Sequence, residues 1–111
     1  MIGRDAIIAA GDLPVAAVEC PEWGGTVHVR MLTAAERQAF FDLANAKQSE
    51  VQAQARLCAF TLCDADGARM FGNDDGPLLA AKSAVVVARV AQAAWDLNEL
   101  GAEHRKARAK N

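Results

Sequence analysis

The chain has no tyrosine, and its 111 residues include only two tryptophans and four phenylalanines. Most of its 52% hydrophobic content therefore comes from alanine and aliphatic residues, each of which buries less area than an aromatic ring. A chain of this length forms one domain with a modest hydrophobic core. We therefore expect an ordinary free energy of unfolding, with helices and strands at the edge of the domain that detach easily from the core.

Long apolar runs are also absent. None approaches the ~20 residues needed to span a bilayer, so we expect no membrane contact. The first ten residues resemble a signal peptide only faintly, because Arg4 and Asp5 interrupt the apolar block, and we predict a short helix there. Three cysteines, an odd number, argue against a disulfide framework and favour a reducing cytosol.

The charge is unevenly distributed. Residues 1–102 carry 8 Lys/Arg against 13 Asp/Glu, whereas residues 103–111 carry 4 against 1. An acidic body with a short basic end is poorly suited to binding nucleic acid along a surface. Predicted helices at about 34–46 and 50–62 have the outline of a helix-turn-helix, but the second offers few base-contacting side chains. We therefore expect no nucleic-acid partner.

No enzymatic, metal or cofactor site is evident. The cysteines and histidines lack the short spacing of a structural zinc site, and the Asp64–Gly67 run lacks the later ligands of a calcium loop. His28 has no neighbouring sequence that would activate a nucleophile. The double glycine after Trp23 does not open a helix, as a phosphate-binding loop would. We therefore predict a non-enzymatic protein without cofactor or metal.

Two alternating runs near the start predict a β-hairpin. Ala16, Val18 and Cys20 share one face of the first run, and Val27, Val29 and Met31 share one face of the second, with Thr26, His28 and Arg30 facing outward. The loop at 21–25 contains two glycines, which is typical of a hairpin connection. An isolated hairpin is marginal in water, so its apolar face must pack on helices.

Capping residues mark the helices that follow. Thr33 with Glu36, and Ser49 with Gln52, each predict a capping box. The first of these helices has a stripe of Phe40, Leu43 and Ala44 and ends near Lys47, and the second has a stripe of Val51, Ala55, Cys58 and Leu62. Asp64–Gly67 predicts a turn, and Pro77 predicts the start of a short helix after Asn73–Asp75.

The longest predicted helix begins after Ser83 and stops at Gly101. Its apolar stripe is Val86, Val90, Ala93, Leu97 and Leu100, widened by Val87, Ala94 and Trp95. We predict an α+β fold, mostly α, with an N-terminal β-hairpin packed on about four or five helices. Residues 1–102 form the single domain, and 103–111 form a basic tail that is predicted to be disordered.

Exposed aromatic residues are the best candidates for partner contact, because tryptophan is enriched in binding hot spots. Trp23 lies beside two glycines at the hairpin tip, where it either covers the hairpin or contacts a partner. The last helix offers the other candidate surface. The predicted partner-binding residues are therefore Trp23, Val86, Val90, Trp95 and Leu97, with core packing as the alternative role for each.

Three segments in this order resemble one known family. They are the Pro-Glu-Trp-Gly-Gly-Thr-Val-x-Val-Arg run leading to Leu-Thr-x-x-Glu-Arg, the stretch from Arg56 to Phe71, and Lys82-Ser83 followed by a long apolar helix and Leu97-Asn98-x-Leu100-Gly101. Together they resemble the tail assembly chaperones of long-tailed bacteriophages and prophages. Gly76-Pro77 and the basic tail depart from the family's usual pattern.

The resemblance implies a protein of the host bacterial cytoplasm that binds the tape measure protein and keeps it soluble while the tail tube polymerises. Such proteins are absent from the mature virion. A longer form made by ribosomal frameshifting often recruits the tail tube protein, and Lys110-Asn111 is compatible with a slippery codon pair. Self-association is also expected. The alternative is a structural tail completion or connector protein that is retained in the virion.

Overall fold

The computed structural model describes residues 1–44 and 49–100, and within them it contains five α-helices and a three-stranded antiparallel sheet. The elements in chain order are α1 (Arg4–Ala9), β1 (Val15–Cys20), β2 (Gly25–Arg30), α2 (Ala34–Ala44), α3 (Glu50–Thr61), β3 (Leu62–Cys63), α4 (Gly76–Ala80) and α5 (Ala84–Leu97). The predicted class, α+β and mostly α, is confirmed. The predicted helix end near Lys47 and the tail at 103–111 lie outside the described residues. The last helix was predicted to run on to a stop at Gly101, but it ends at Leu97, because Asn98 is its C-cap and Glu99 takes a left-handed φ of 54°.

The sheet has the order β1-β2-β3. The predicted hairpin is confirmed, with Val18 opposite Val27 and Ala16 opposite Val29. The third strand was not predicted, because the sequence pattern continued the preceding helix to Leu62. That assignment is wrong: the backbone leaves the helical conformation at Leu62, which pairs with Val29. A tertiary pairing with β2 therefore overrides a continuous apolar pattern.

Helix α3 lies at the centre of the core. Ala55 and every residue from Leu57 to Thr61 are buried, because the sheet, α2, α4 and α5 surround this half of the helix. The predicted stripe places Val51 in the core, but Val51 is 55% exposed. The prediction fails there because the first turn of α3 extends beyond the elements that cover its later turns.

Both predicted capping boxes are present. The Thr33 hydroxyl accepts from the Glu36 N–H at 3.1 Å, and the Glu36 carboxylate accepts from the Thr33 N–H at 2.9 Å. Ser49 and Gln52 form the same reciprocal pair. At α5, the Ser83 hydroxyl accepts from the Val86 N–H at 3.4 Å. Asp75 occupies the predicted cap position of α4, but its carboxylate instead accepts from the Gly72 N–H at 2.7 Å.

Glu36 also joins three separate parts of the chain. Both of its carboxylate oxygens accept from Arg30 at 2.7 Å, and one accepts from Arg69 at 3.4 Å. Arg30 was predicted to face outward, but only 13% of its side chain is exposed. The reason is that β2 is the central strand, and the start of α2 and the segment after β3 cover its second face.

The environment of Glu36 predicts an acid-dependent stability. Partial burial raises its pKa, but the hydrogen bond from the Thr33 N–H and the charges of Arg30 and Arg69 outweigh this, and the pKa lies below its ordinary value of 4.5. The folded-state pKa is therefore lower than the unfolded-state pKa. The resulting stabilisation is complete above about pH 4.5 and is lost as the pH falls through the folded-state pKa.

Glu36→Gln should lower the free energy of unfolding by about 1–3 kcal/mol at pH 7, because glutamine keeps the cap but leaves both guanidinium groups without a carboxylate. Urea unfolding at pH 7 and at acid pH measures the difference between variant and parent. The difference should shrink as the acid pH protonates Glu36. A difference that stays constant down to acid pH would contradict the role assigned to the charge.

Candidate partner-binding surface

Trp23 is positioned by the turn that connects β1 and β2. Pro21 opens a single 3-10 turn, and the Gly24 N–H donates to the Pro21 carbonyl at 3.0 Å. Gly24 has φ 95°, a left-handed conformation that glycine adopts without a Cβ clash. The turn directs the Trp23 ring back along the hairpin, where it is half-buried against the core.

An ion pair connects this turn to α5. Both carboxylate oxygens of Glu22 accept from Arg89 at 2.8 Å, and Arg89 also donates to the Glu19 carbonyl at 3.3 Å. The hydrogen bond from Arg89 lowers the pKa of Glu22 to about 2, and the same bond raises the pKa of Arg89. Because both groups lie at the surface, the pair orients the turn more than it stabilises the fold.

A second turn positions the residues that face Trp23. The Asp64 carboxylate accepts from the N–H groups of Asp66 and Ala68 at 2.9 and 3.0 Å, and Gly67 takes a left-handed φ of 89°. The predicted turn at Asp64–Gly67 is thereby confirmed. The chain then returns along β3, with the Met70 N–H donating to the Leu62 carbonyl at 3.1 Å.

Between these turns and α4 lies an open apolar groove of about 250 Å³, which we call the Trp23 groove. Seven of its eight lining residues are apolar and one is a lysine: Trp23, Val27, Leu62, Met70, Phe71, Leu78, Leu79 and Lys82. Met70 and Leu78 are each 60% exposed, so the groove presents large apolar side chains to water. An apolar surface of this kind beside a single cation is typical of a protein-docking site.

Trp95 lines a separate surface, a cleft of about 350 Å³ between the neighbouring turns of α3 and α5. Its lining mixes apolar and polar side chains: Phe40, Glu50, Ala53, Gln54, Leu57, Ala88, Ala91, Gln92 and Trp95. Trp95 is 38% exposed, and the Gln92 amide donates to Asp96 at 2.9 Å beside it. This cleft is more polar than the Trp23 groove and therefore offers less hydrophobic driving force for a partner.

The five sequence-predicted contact residues do not form one surface. Trp23 and Trp95 line different cavities, and Leu97 is half-buried against the core. Val86 and Val90 are fully buried, because they lie on the face of α5 that packs against α3 and the sheet. A partner could reach these two valines only if α5 moved away from the body.

Sequence reasoning missed most of the groove. Met70, Phe71, Leu78 and Lys82 lie in two short segments with no periodic pattern to mark a functional face. The sequence carried only a weaker signal, two pairs of large apolar residues at 70–71 and 78–79 on either side of a stretch rich in Gly, Asp and Pro.

The cysteines have the character of core residues. Cys20, Cys58 and Cys63 are free and buried, and burial raises the pKa of Cys58 to about 12 and also raises the pKa of Cys63. The Cys58 thiol donates to the Val87 carbonyl at 3.6 Å. The raised pKa values keep the Cys58 and Cys63 thiols protonated, and therefore poor nucleophiles, near neutral pH. Across residues 1–44 and 49–100, no group of three or more His, Cys, Asp or Glu side chains is placed to hold a metal ion.

Within the described part of the chain, no helix has both the length and the apolar character needed to cross a bilayer.

Comparison with known proteins connects this fold to phage tail assembly. The structure of the bacteriophage HK97 tail assembly chaperone superposes with a TM-score of 0.62 over 84% of this chain and 94% of that chain, at 24% sequence identity. At this identity the likeness establishes a shared fold. No curated protein matches the sequence. The family model for phage tail assembly chaperones matches residues 13–110, nearly the whole chain. The chain therefore belongs to the phage tail assembly chaperone family, whose role is non-enzymatic.

Proposed function

We propose that this chain binds the tape measure protein through the Trp23 groove and keeps it soluble until the tail tube forms around it. The proposal rests on the solvent exposure of Met70 and Leu78, two large side chains in an apolar groove. The chain that carries this groove belongs to a chaperone family. Exposed apolar side chains grouped in one groove are typical of a surface that a partner covers, because their contact with water is unfavourable.

The geometry of the groove suits an amphipathic helix. Its apolar lining matches the apolar stripe of such a helix, and Lys82, its one charged lining residue, can pair with an acidic residue beside that stripe. The contact area is small, so the complex is expected to be weak and reversible. Reversibility is what a chaperone needs if the tube subunits are to displace it.

Placing charge in the groove tests this function. Met70→Glu combined with Leu78→Glu should weaken binding to the tape measure protein at least about tenfold, because two carboxylates would be desolvated against apolar surface. Both parent side chains are largely exposed, so folding should be little affected. The measurement is the soluble fraction of tape measure protein co-expressed with each variant.

Val85→Glu is the matched control. Val85 is 68% exposed and lies outside both cavities, so the same change there should leave the tape measure protein soluble. Equal soluble fractions of tape measure protein with the groove variant and with Val85→Glu would contradict the proposed site. Circular dichroism of all variants separates lost binding from lost folding.

We further propose that the protein acts in the host cytoplasm and does not remain in the virion, and that a frameshifted longer form recruits the tail tube protein. Mass spectrometry of purified virions decides between this proposal and the alternative of a retained completion or connector protein. Stoichiometric amounts of the chain in virions would support the alternative. If the longer form is made, infected cells should contain an extended product that carries this sequence at its N-terminus.

A further inference from the structure

Among the described residues, the outer edge of β1 is the edge of the sheet that has no neighbouring backbone. The strand order is β1-β2-β3, so β1 pairs with β2 on one side only. The far side of β3 is different, because Arg69 forms a bridge with Cys63, and the Met70 N–H donates to the Leu62 carbonyl at 3.1 Å. The open edge of this sheet is therefore that of β1.

The register of the hairpin shows which backbone groups of β1 point outward. Pro14 lies opposite Met31 in a hydrogen-bonded pair, since the Pro14 carbonyl accepts from the Met31 N–H at 3.0 Å. Hydrogen-bonded and non-hydrogen-bonded pairs alternate along an antiparallel ladder. The residues that direct their N–H and C=O groups away from β2 are therefore Val15, Ala17 and Glu19.

These groups form a row of donors and acceptors along the edge. Within residues 1–44 and 49–100, no hydrogen bond is made by the three N–H groups or by the Val15 and Ala17 carbonyls. The Glu19 carbonyl accepts from Arg89 at 3.3 Å, which confirms its outward direction and closes that end of the row. Sheet edges are commonly protected by lysine, proline or a bulge, but β1 has none of these, and Glu19 is its only charged residue.

Helix α5 lies along the inner side of this edge, with Arg89 beside the end of β1. Ala93 and Leu97 follow Arg89 by one and two turns, so they lie on the same side of the helix. Both are half-buried against the core, as is Ala16 on the inner face of β1. An added strand would therefore meet small and apolar side chains on its inner side.

The outer face of the edge carries a negative charge. Glu19 is exposed, and one of its carboxylate oxygens accepts from the Thr26 hydroxyl at 3.1 Å. The other oxygen has no partner in the described part of the chain, so a cation on an added strand can pair with it. Residues 1–102 carry 13 Asp/Glu against 8 Lys/Arg, so the body as a whole also favours a basic segment.

We propose that the outer edge of β1 binds an extended segment of another protein, which pairs antiparallel with residues 15–19 and alternates apolar with basic residues. The apolar side chains of the segment pack beside Ala93 and Leu97, and a basic side chain pairs with Glu19. Strand addition of this kind takes its affinity from main-chain hydrogen bonds and its specificity from alternate side chains. The site is separate from the Trp23 groove and does not depend on the function proposed for that groove.

Amide hydrogen exchange of the protein alone tests whether the edge is open. The Ala17 N–H faces outward and should exchange at least about tenfold faster than the neighbouring Val18 N–H, which faces β2. Equal protection of the two amides would show that another part of the chain already covers the edge, and would overturn the inference.

A blocked six-residue peptide of alternating lysine and valine is the probe for the segment. NMR titration should show saturable binding with a dissociation constant on the order of 100 µM, with the largest amide shifts at Ala17 and Glu19. The same peptide with glutamate in place of lysine should bind at least about fivefold more weakly, because its carboxylates would face Glu19. No saturable binding of the lysine peptide, or equal binding of the two peptides, would overturn the inference.

Backbone N-methylation of the peptide tests the antiparallel pairing. The lysine side chains share the outer face with Ala17 and Glu19, so only the lysine N–H groups would face the edge. The peptide methylated at its lysine nitrogens should bind at least about tenfold more weakly, whereas the peptide methylated at its valine nitrogens should keep the parent affinity. Equal affinities of the two peptides, or the reverse order, would overturn this pairing.

Ala17→Pro removes one outward N–H without removing a hydrogen bond to β2. This variant should bind the lysine peptide at least about tenfold more weakly, whereas Ala17→Ser, which keeps the N–H, should bind it as the parent does. Circular dichroism of both variants shows whether the fold is kept. Unchanged binding to a folded Ala17→Pro variant would contradict the proposed site.

Charge reversal gives a second test that leaves the backbone of β1 unchanged. Glu19→Lys should reverse the preference, so that the glutamate peptide binds more tightly than the lysine peptide. Glu19 is exposed, so folding should be little affected. An unchanged preference would show that Glu19 does not meet the segment.

Two further measurements test other occupants of the edge and other sites for the peptide. Met70→Glu combined with Leu78→Glu should leave the affinity for the lysine peptide unchanged, and a loss would place the peptide in the Trp23 groove. Sedimentation velocity of the protein alone should be the same for the parent and for Ala17→Pro. An oligomer that Ala17→Pro dissociates would place a second copy on the edge. Either contrary result would overturn the inference.

Discussion

Replacing Phe60 with alanine is expected to lower the free energy of unfolding by about 3–5 kcal/mol, the largest effect of any single change predicted for this chain. Phe60 is fully buried in α3, its ring meets Phe40 edge-on at 5.7 Å, and the Arg69 guanidinium lies 5.1 Å from its centroid. Truncation removes all of these contacts and leaves a cavity. In a small domain with few aromatic residues, this is a large share of the total stability.

Urea unfolding followed by circular dichroism measures the loss. Phe41→Ala is the matched control, because the Phe41 ring is only partly buried and packs at the edge of the core. It should cost clearly less than Phe60→Ala, since its site is partly solvated before the change. Equal losses at the two positions would show that the core is not centred on α3.

Asn98→Leu is expected to lower the free energy of unfolding by about 2–3 kcal/mol, although leucine is similar in size and more apolar. Asn98 is 3% exposed at the end of α5. Its side-chain carbonyl accepts from the Leu32 N–H at 2.7 Å, and its amide donates to the Ala94 carbonyl at 2.9 Å and to the Arg30 carbonyl at 3.4 Å. Leucine would leave the buried Leu32 N–H without this acceptor and would remove both donations from the amide, although the Ala94 carbonyl keeps its hydrogen bond from the residue-98 N–H.

Gln92→Leu, one to two turns earlier on the same helix, provides the control. Gln92 is exposed and donates only to Asp96 at the surface, so its replacement should change stability by less than about 0.5 kcal/mol. Amide hydrogen exchange adds a local readout. In Asn98→Leu the Leu32 N–H should lose protection more than the rest of the β2–α2 connection, and unchanged protection there would contradict the proposed hydrogen bond.

Phe60 and Asn98 show the limits of prediction from local sequence patterns. Phe60 lies in a helix that was correctly predicted from its capping box, yet the apolar stripe assigned to that helix left Phe60 out and included the exposed Val51. Asn98 was noted as part of a motif but not as a hydrogen-bond hub. Its partners, Leu32 and Arg30, lie more than sixty residues away along the chain.

The sequence by itself determined the features that depend on close neighbours along the chain. The hairpin, both capping boxes, the turn at Asp64–Gly67 and the Ser83 start of α5 arise from residues within a few positions of one another, so their physics is complete in a short segment. The ordered motifs also sufficed to indicate the family, which the match over residues 13–110 establishes.

Only the tertiary structure decided which surface is open to a partner. Val86 and Val90 carry a clear helical pattern but are buried, while Met70 and Leu78 carry no pattern and are exposed beside Trp23. The third strand and the Arg30–Glu36–Arg69 cluster likewise join distant segments. The physical reason is that periodicity reports whether a helix has an apolar face, whereas exposure depends on which other elements happen to cover that face.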